Sequence, residues 1–110
     1  MVKSDDKLFD RFVNEVRFVY GSNLKSIILF GSVARGTAGE ESDVDIALII
    51  ENENEEMYDK LLDIVVAFEL EYNIVITTVL IETALFEKWR NVSPFYKNIT
   101  NEGIELWKAA

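Results

Sequence analysis

The chain contains no cysteine and no histidine. Without cysteine it can form neither disulfide bonds nor thiolate metal sites, which is typical of a cytoplasmic protein. The absence of histidine removes the side chain that most often serves as a general base or as an imidazole metal ligand. Acid–base or metal chemistry would therefore depend on carboxylates, hydroxyl groups, lysine or tyrosine.

Basic residues are scarce as well, with 11 lysines and arginines against 20 aspartates and glutamates, a net charge of −9. Broad electrostatic binding to nucleic acid needs a basic surface, so the composition disfavours that class of function. The acidity favours metal ions or a basic protein partner instead.

Long apolar runs are also missing, and no uninterrupted stretch is long enough to cross a bilayer. The first residues, 1–6, lack the apolar segment of a signal peptide, so we expect a cytoplasmic protein that does not bind membranes. The 110 residues are 49% hydrophobic, which suits a single domain over residues 1–110 with a modest core.

Hydrophobic periodicity predicts that helices and strands alternate along the chain. Strands are expected over 26–30, 44–50 and 74–81, and helices over 5–20, 32–35, 55–70, 82–90 and 95–101. This order predicts an α/β (α+β) fold with a small mixed sheet. The sheet would have three or four strands, and a short apolar segment, 104–107, ends the pattern.

The most informative segment connects the first two predicted strands and reads Phe30-Gly31-Ser32-Val33-Ala34-Arg35-Gly36, then Ser42-Asp43-Val44-Asp45. Residues two apart on a strand point to the same face, so Asp43 and Asp45 present adjacent carboxylates. Such carboxylates repel each other unless a cation lies between them, and hard oxygen ligands suit Mg²⁺. The Gly31-Ser32 turn offers backbone N–H groups and a hydroxyl for phosphate oxygens. The segment therefore predicts a site for a metal-bound nucleoside triphosphate.

This ordered combination resembles the signature of the minimal nucleotidyltransferases (MNT) of the DNA polymerase β-like nucleotidyltransferase superfamily. Two other groups of Asp-x-Asp enzymes, haloacid dehalogenase-type phosphatases and many glycosyltransferases, place the acids after their hydrophobic strand, whereas here the acids precede it. Taken alone, the glycine-serine pair could be an ordinary turn. Taken alone, the two acids could lie on a solvated strand edge. Neither explanation accounts for the ordered combination of both features.

The resemblance implies the nucleotidyltransferase fold and the transfer of a nucleoside monophosphate, AMP from ATP, to a hydroxyl acceptor with Mg²⁺ or Mn²⁺. Asp43 and Asp45 would be the catalytic residues and the metal ligands. The residues that bind the nucleotide would be Gly31, Ser32, Arg35 and Ser42. Arg35 would steady the triphosphate or the loop before Asp45, and an ordinary surface role remains open for it. The tyrosine and tryptophan residues are interpreted first as core and rim residues; if one stacks on the base, it would be Trp89, on the predicted helix beyond the third strand.

The third carboxylate of the family lies near the start of the third strand, where this sequence has Asn73. An asparagine is neutral and cannot accept the proton of a nucleophile. Glu71 would share the face of Asn73 if the strand extended that far back; otherwise Glu71 ends the preceding helix. The neutral Asn73 makes activity uncertain, whereas Gly31, Asp43 and Asp45 favour an enzyme.

Small members of this family often pair with a helical HEPN-type protein, frequently as antitoxin and toxin, and some adenylylate a tyrosine of that partner. We therefore expect a HEPN-type partner or a homo-oligomer. Aromatic residues of the C-terminal part would contribute to the interface: Phe86, Trp89, Phe95, Tyr96 and Trp107. The alternative is a catalytically weak or inactive binding module of the same fold that neutralises a protein partner.

Overall fold

The computed structural model describes residues 5–31 and 43–110, with side chains from residue 7 onward. Helix α1 spans Asp5–Tyr20, and a 3-10 turn, Gly21–Asn23, leads into strand β1, Leu24–Phe30. Strand β2 spans Val44–Ile50, helix α2 Glu55–Tyr72 and strand β3 Ile76–Glu82. Helix α3 spans Thr83–Trp89, helix α4 Pro94–Glu102 and strand β4 Ile104–Lys108. The short helix predicted over 32–35 lies outside the described residues.

The described strands form one mixed sheet in the order β3-β2-β1-β4. Strand β1 runs antiparallel to β2 and β4, whereas β2 and β3 are parallel. The parallel pair needs a crossover connection, and α2 provides it. The predicted small mixed sheet is confirmed, and the apolar segment at 104–107 supplies its fourth strand.

Helices cover both faces of the sheet, and the alternation of side chains along β2 separates the two cores. Val44, Ile46, Leu48 and Ile50 belong to the core under α1 and α2, where Phe12 and Phe68 meet edge to face with centroids 5.4 Å apart. Ala47 and Ile49 belong to the core under α3 and α4. Asp45 has the same parity as Ala47 and Ile49, so its side chain lies on the α3–α4 face.

Helix α2 begins and ends at asparagine residues. The side chain of Asn54 accepts a hydrogen bond of 3.0 Å from the backbone N–H of Met57, a favourable N-cap. Asn73 closes the helix in the left-handed conformation, with φ 53° and ψ 52°, and its N–H donates to the carbonyl of Glu69. Asparagine tolerates this conformation better than most residues, so it suits the position. None of the described helices is long and apolar enough to cross a membrane.

The C-terminal aromatic residues divide between core and surface. Phe86 is buried in the α3–α4 core, and Tyr96 and Trp107 are half-buried against the two cores. Trp89 and Phe95 are exposed. Of the five aromatic residues predicted for the interface, Trp89 and Phe95 are therefore the two that are exposed on the surface.

Candidate active site

Asp45 is the second residue of β2, and its neighbours within the sheet define the centre of the site. Its ladder partner on β1 is Phe30, and its ladder partner on β3 is Thr77. Directly opposed residues point to the same face of a sheet, so the three side chains form a row on the α3–α4 face. Asp45 is half-buried and Thr77 is exposed.

Gly31 directly follows β1 and lies against the Asp45 carboxylate. Its φ is +76°, a left-handed conformation that L side chains rarely adopt. A Cβ atom at this position would overlap Asp45 Oδ2 and would lie only 3.2 Å from Asp45 Cγ. Glycine is thus required both by the turn and by the close approach of the carboxylate.

Asp43 lies just before β2 and is exposed. The next residue, Val44, donates its N–H to the carbonyl of Val75 at 2.8 Å, which ties the start of β2 to the segment that leads into β3. Asp43, Asp45, Gly31 and Thr77 therefore gather at one end of the sheet. The other predicted nucleotide-binding residues, Ser32, Arg35 and Ser42, lie outside the described residues.

The two residues proposed for the third carboxylate do not occupy a strand position facing Asp45. Asn73, predicted near the start of the third strand, is instead the left-handed cap of α2, three residues before β3 begins at Ile76. Glu71 belongs to α2, and it forms an ion pair with Arg11 of α1. The same guanidinium donates a hydrogen bond of 2.7 Å to Tyr72 Oη.

The hydrogen bond from Arg11 lowers the pKa of the Glu71 carboxyl below its ordinary value. This carboxylate is therefore engaged between α1 and α2, the layer that covers the opposite face of the sheet from Asp45. Thr77 is the residue that the strand register places beside Asp45. Sequence reasoning missed it because no local pattern in the chain gives the register between β2 and β3.

The donor set at this end of the sheet suits a hard cation. Two carboxylates and a hydroxyl are oxygen ligands, and Mg²⁺ is commonly held by one or two carboxylates together with water and substrate phosphates. Over residues 5–31 and 43–110 no group of three or more histidine, cysteine, aspartate or glutamate side chains is placed to hold a metal ion. The described residues therefore offer two carboxylates and one hydroxyl, and any further ligands of a cation would have to come from elsewhere.

The site is bordered by an aromatic residue, Phe95, that the sequence analysis did not assign to the site. Phe95, at the start of α4, meets Phe30 edge to face with centroids 5.8 Å apart, and Phe30 is the ladder partner of Asp45. Phe95 remains 44% exposed. Trp89, the predicted base-stacking residue, ends α3 with Lys88 Nζ 5.1 Å from its ring centroid, and its stacking role stays a prediction.

A separate cleft of about 320 Å³ lies on the same face of the sheet. It is lined by Lys25 and Ser26 from the start of β1 and by Ile49 from the end of β2, together with residues of α3, α4 and β4. Since β1 and β2 are antiparallel, this cleft is at the opposite end of the two strands from Phe30 and Asp45. The acids of the site are not part of it.

The order of strands, the glycine turn after β1 and the acids at the start of β2 are typical of the nucleotidyltransferase class of fold. A family model described as the nucleotidyltransferase domain matches residues 9–104. The chain belongs to this nucleotidyltransferase domain family, which confirms the resemblance seen in the sequence.

One curated relative extends over almost the whole chain. It is the Methanocaldococcus jannaschii protein named “Putative protein adenylyltransferase MJ0604”, 36% identical over 104 residues, which cover 94% of this chain and 99% of the relative. This relative supports the same family assignment.

Two solved structures show the same fold. One is described as “Structure of putative minimal nucleotidyltransferase”; it has a TM-score of 0.62 at 19% identity and covers 93% of this chain and 92% of its own. The other is a chain of the complex between a tri-AMPylated Shewanella oneidensis HEPN toxin and an MNT antitoxin. Its TM-score is 0.54 at 16% identity, covering 94% of this chain and 72% of its own.

Proposed function

We propose that the protein transfers AMP from a Mg²⁺- or Mn²⁺-bound ATP to a hydroxyl group of a HEPN-type protein and neutralises that protein as its antitoxin. The observation that carries the proposal is the contact between Gly31 and the Asp45 carboxylate at the end of β1 and β2. The M. jannaschii relative supports protein adenylylation, and the S. oneidensis complex supports a HEPN-type acceptor.

In this proposal the acceptor oxygen forms a bond to the α-phosphorus of ATP while the bond between the α-phosphorus and the bridging oxygen of pyrophosphate breaks. Pyrophosphate leaves with that oxygen, and the hydroxyl proton passes to solvent. Asp43 and Asp45 would hold the cation, which when bound neutralises charge on the triphosphate. The backbone of Gly31, with Ser32, would bind the β- and γ-phosphates, and Arg35 and Ser42 would complete the phosphate site.

A second function is favoured by one observation, the threonine at the position facing Asp45. The described residues place a neutral threonine rather than a third carboxylate opposite Asp45, so they offer no third acid that would take the proton from an acceptor hydroxyl. The alternative is therefore a binding module that holds nucleotide weakly and neutralises its partner by covering it. The two functions differ in whether a covalent bond to the partner forms.

The deciding experiment incubates the purified protein with Mg²⁺, a co-expressed HEPN-type neighbour and ATP labelled at either the α- or the γ-phosphate. The enzyme transfers label from α-labelled but not from γ-labelled ATP to the neighbour. Asp45→Asn should abolish this transfer, and Asp59→Asn, which changes an exposed aspartate of α2, should not. Stable association without transfer supports the binding module. Transfer that survives Asp45→Asn would contradict the assigned site.

A further inference from the structure

The residues on either side of Asp45 in the sheet carry no charge. Phe30 is its neighbour on β1 and Thr77 its neighbour on β3. Strand β3 is at the edge of the described sheet, so no described strand extends the row beyond Thr77. Thr77 is therefore the last position from which the sheet itself could present a ligand next to Asp45 on this face.

A threonine at this position limits the charge that the site can hold. Its hydroxyl can donate and accept a hydrogen bond, but it is neutral and offsets none of the charge of a cation. Two divalent cations would bring four positive charges, and the described residues place two carboxylates beside them, those of Asp43 and Asp45. The surplus would make the cations repel each other at the short separation that paired metal sites require.

A nucleoside triphosphate supplies the negative charge that the protein lacks here. Mg²⁺ keeps most of its water when it binds one or two carboxylates, and substrate phosphates usually complete its shell. We propose that Thr77 makes this a single-cation site that fills only together with nucleotide, so that the cation arrives as the metal complex of the triphosphate. This inference rests on the proposed function, since it specifies the form in which the site takes its nucleotide.

The experiment counts bound Mn²⁺ per chain from the loss of the free-ion signal in electron paramagnetic resonance, with and without a non-hydrolysable ATP analogue. Nucleotide binding is measured on the same samples by equilibrium dialysis. The parent protein should bind Mn²⁺ weakly alone and one ion per chain with the analogue. Thr77→Asp should bind Mn²⁺ at least about tenfold more tightly without nucleotide, because a third carboxylate joins those of Asp43 and Asp45.

Two control variants show whether the effect of Thr77→Asp comes from the added charge at that position, or from added charge or altered shape in general. Asn73→Asp adds the same negative charge at an exposed cap three residues before β3, so it should bind Mn²⁺ like the parent. Thr77→Asn changes the shape at Thr77 without adding charge and should also behave like the parent. Circular dichroism melts confirm that each variant is folded; if Thr77→Asp does not fold, the parent stoichiometry alone decides.

Two Mn²⁺ ions per parent chain, or tight binding by the parent without nucleotide, would overturn this inference while leaving the proposed function intact. Equal affinity of Thr77→Asp and Asn73→Asp for Mn²⁺ would overturn it as well. Failure of every variant to bind the analogue would overturn the proposed function and this inference with it.

Discussion

At the scale of single residues, two glycines show that the same residue type can be required for different reasons. Gly21 and Gly31 both have positive φ, +55° and +76°. A Cβ atom on Gly21 would meet no atom within 4 Å, whereas on Gly31 it would overlap the Asp45 carboxylate. Gly21 is thus required by conformation alone, and Gly31 by conformation and by the site.

Gly31→Ala should therefore lower stability and displace Asp45, and Gly21→Ala is its matched control. Each should lose about 1–2 kcal/mol of unfolding free energy from the left-handed backbone. Only Gly31→Ala should weaken binding of the nucleotide analogue with Mn²⁺, because only there does the new methyl group push against the carboxylate. Urea titration and equilibrium dialysis measure the two effects. Equal nucleotide binding by both variants would show that the contact with Asp45 has no role in the site.

Tyr20 ends α1 with its ring in the core and is only 2% exposed. Its hydroxyl is buried and has no hydrogen-bond partner among the described residues. Burial, with smaller contributions from Tyr58 and Glu53, raises the pKa of this phenol to about 12. A buried polar group without a partner costs stability, so the aromatic ring rather than the hydroxyl explains the residue.

Tyr20→Phe should keep the stability at neutral pH or raise it by up to about 1 kcal/mol. The phenol has a pKa near 10 in the unfolded chain and about 12 in the fold, so the unfolded chain loses the proton first. Stability of the parent should therefore fall between pH 10 and 12, by at most roughly 2–3 kcal/mol from this group, and Tyr20→Phe should lack that component. Urea unfolding of both proteins across this range tests it; parallel curves would contradict the raised pKa.

At the scale of elements, the sequence predicted those boundaries that local patterns decide. The bounds of α1 and β2 agree with the prediction because an amphipathic period marks the helix and a nearly continuous apolar run marks the strand. The strand was predicted to start at residue 74 because the β-branched run begins there, whereas β3 starts at Ile76. The N–H of Ile74 still bonds the carbonyl of Glu69, and the N–H of Ile76 bonds the Glu69 side chain.

The pairing of β3 with β2 decides which residue faces Asp45. Strand β3 begins at Ile76, opposite Val44, and this register places Thr77 beside Asp45. The glycine turn and the two acids could be predicted because they are adjacent in sequence. The residue that faces them from a parallel strand depends on long-range register, which no local pattern contains.

Strand β4 depends on a close contact at Gly103, between α4 and the strand. A Cβ atom there would lie 2.5 Å from Ile28 Cγ2 and 3.3 Å from the carbonyl oxygen of Leu29, and would overlap the carbonyl oxygen of Ile99. Two of these atoms belong to backbone that cannot move independently. Glycine allows the helix end to lie directly on β1, where β4 then pairs.

Gly103→Ala should lower the unfolding free energy by about 1–3 kcal/mol, the usual cost of inserting a methyl group into a filled space. Asn101→Ala, an exposed change two residues earlier on the same helix end, should have little effect. Hydrogen exchange should locate the loss in β4 and its pairing with β1. A Gly103→Ala protein as stable as the parent would show that α4 and β4 shift apart at no cost.

At the scale of the whole molecule, an apolar ridge on α2 and the net charge of the chain both bear on which partner the protein binds. Tyr58, Leu62, Val66 and Leu70 recur every fourth residue along α2, and they are 39%, 39%, 52% and 80% exposed. Residues at this spacing form one continuous ridge on a helix. Exposed apolar patches are typical of protein interfaces, and the chain around this one has a net charge of −9.

We predict that the ridge on α2 contacts the basic HEPN-type partner of the proposed function. Val66→Glu should weaken that association at least about tenfold, since it places a charge in the apolar centre of the ridge. Its exposed position means that the melting temperature should not change. Phe18→Ser is the control, because Phe18 is 91% exposed on α1 and lies outside the ridge. Surface plasmon resonance with the co-expressed partner measures both variants.

The salt dependence separates a basic partner from a second copy of the chain. Attraction between a chain of charge −9 and a basic surface is screened by salt, so the association rate should fall as salt rises. Two copies of this chain repel each other, so self-association through the ridge should instead strengthen with salt. Light scattering after size exclusion, at low and high salt, with and without the partner, measures both. A monomer that captures no partner at low salt would contradict the prediction, and a dimer that forms only at high salt would assign the ridge to self-association.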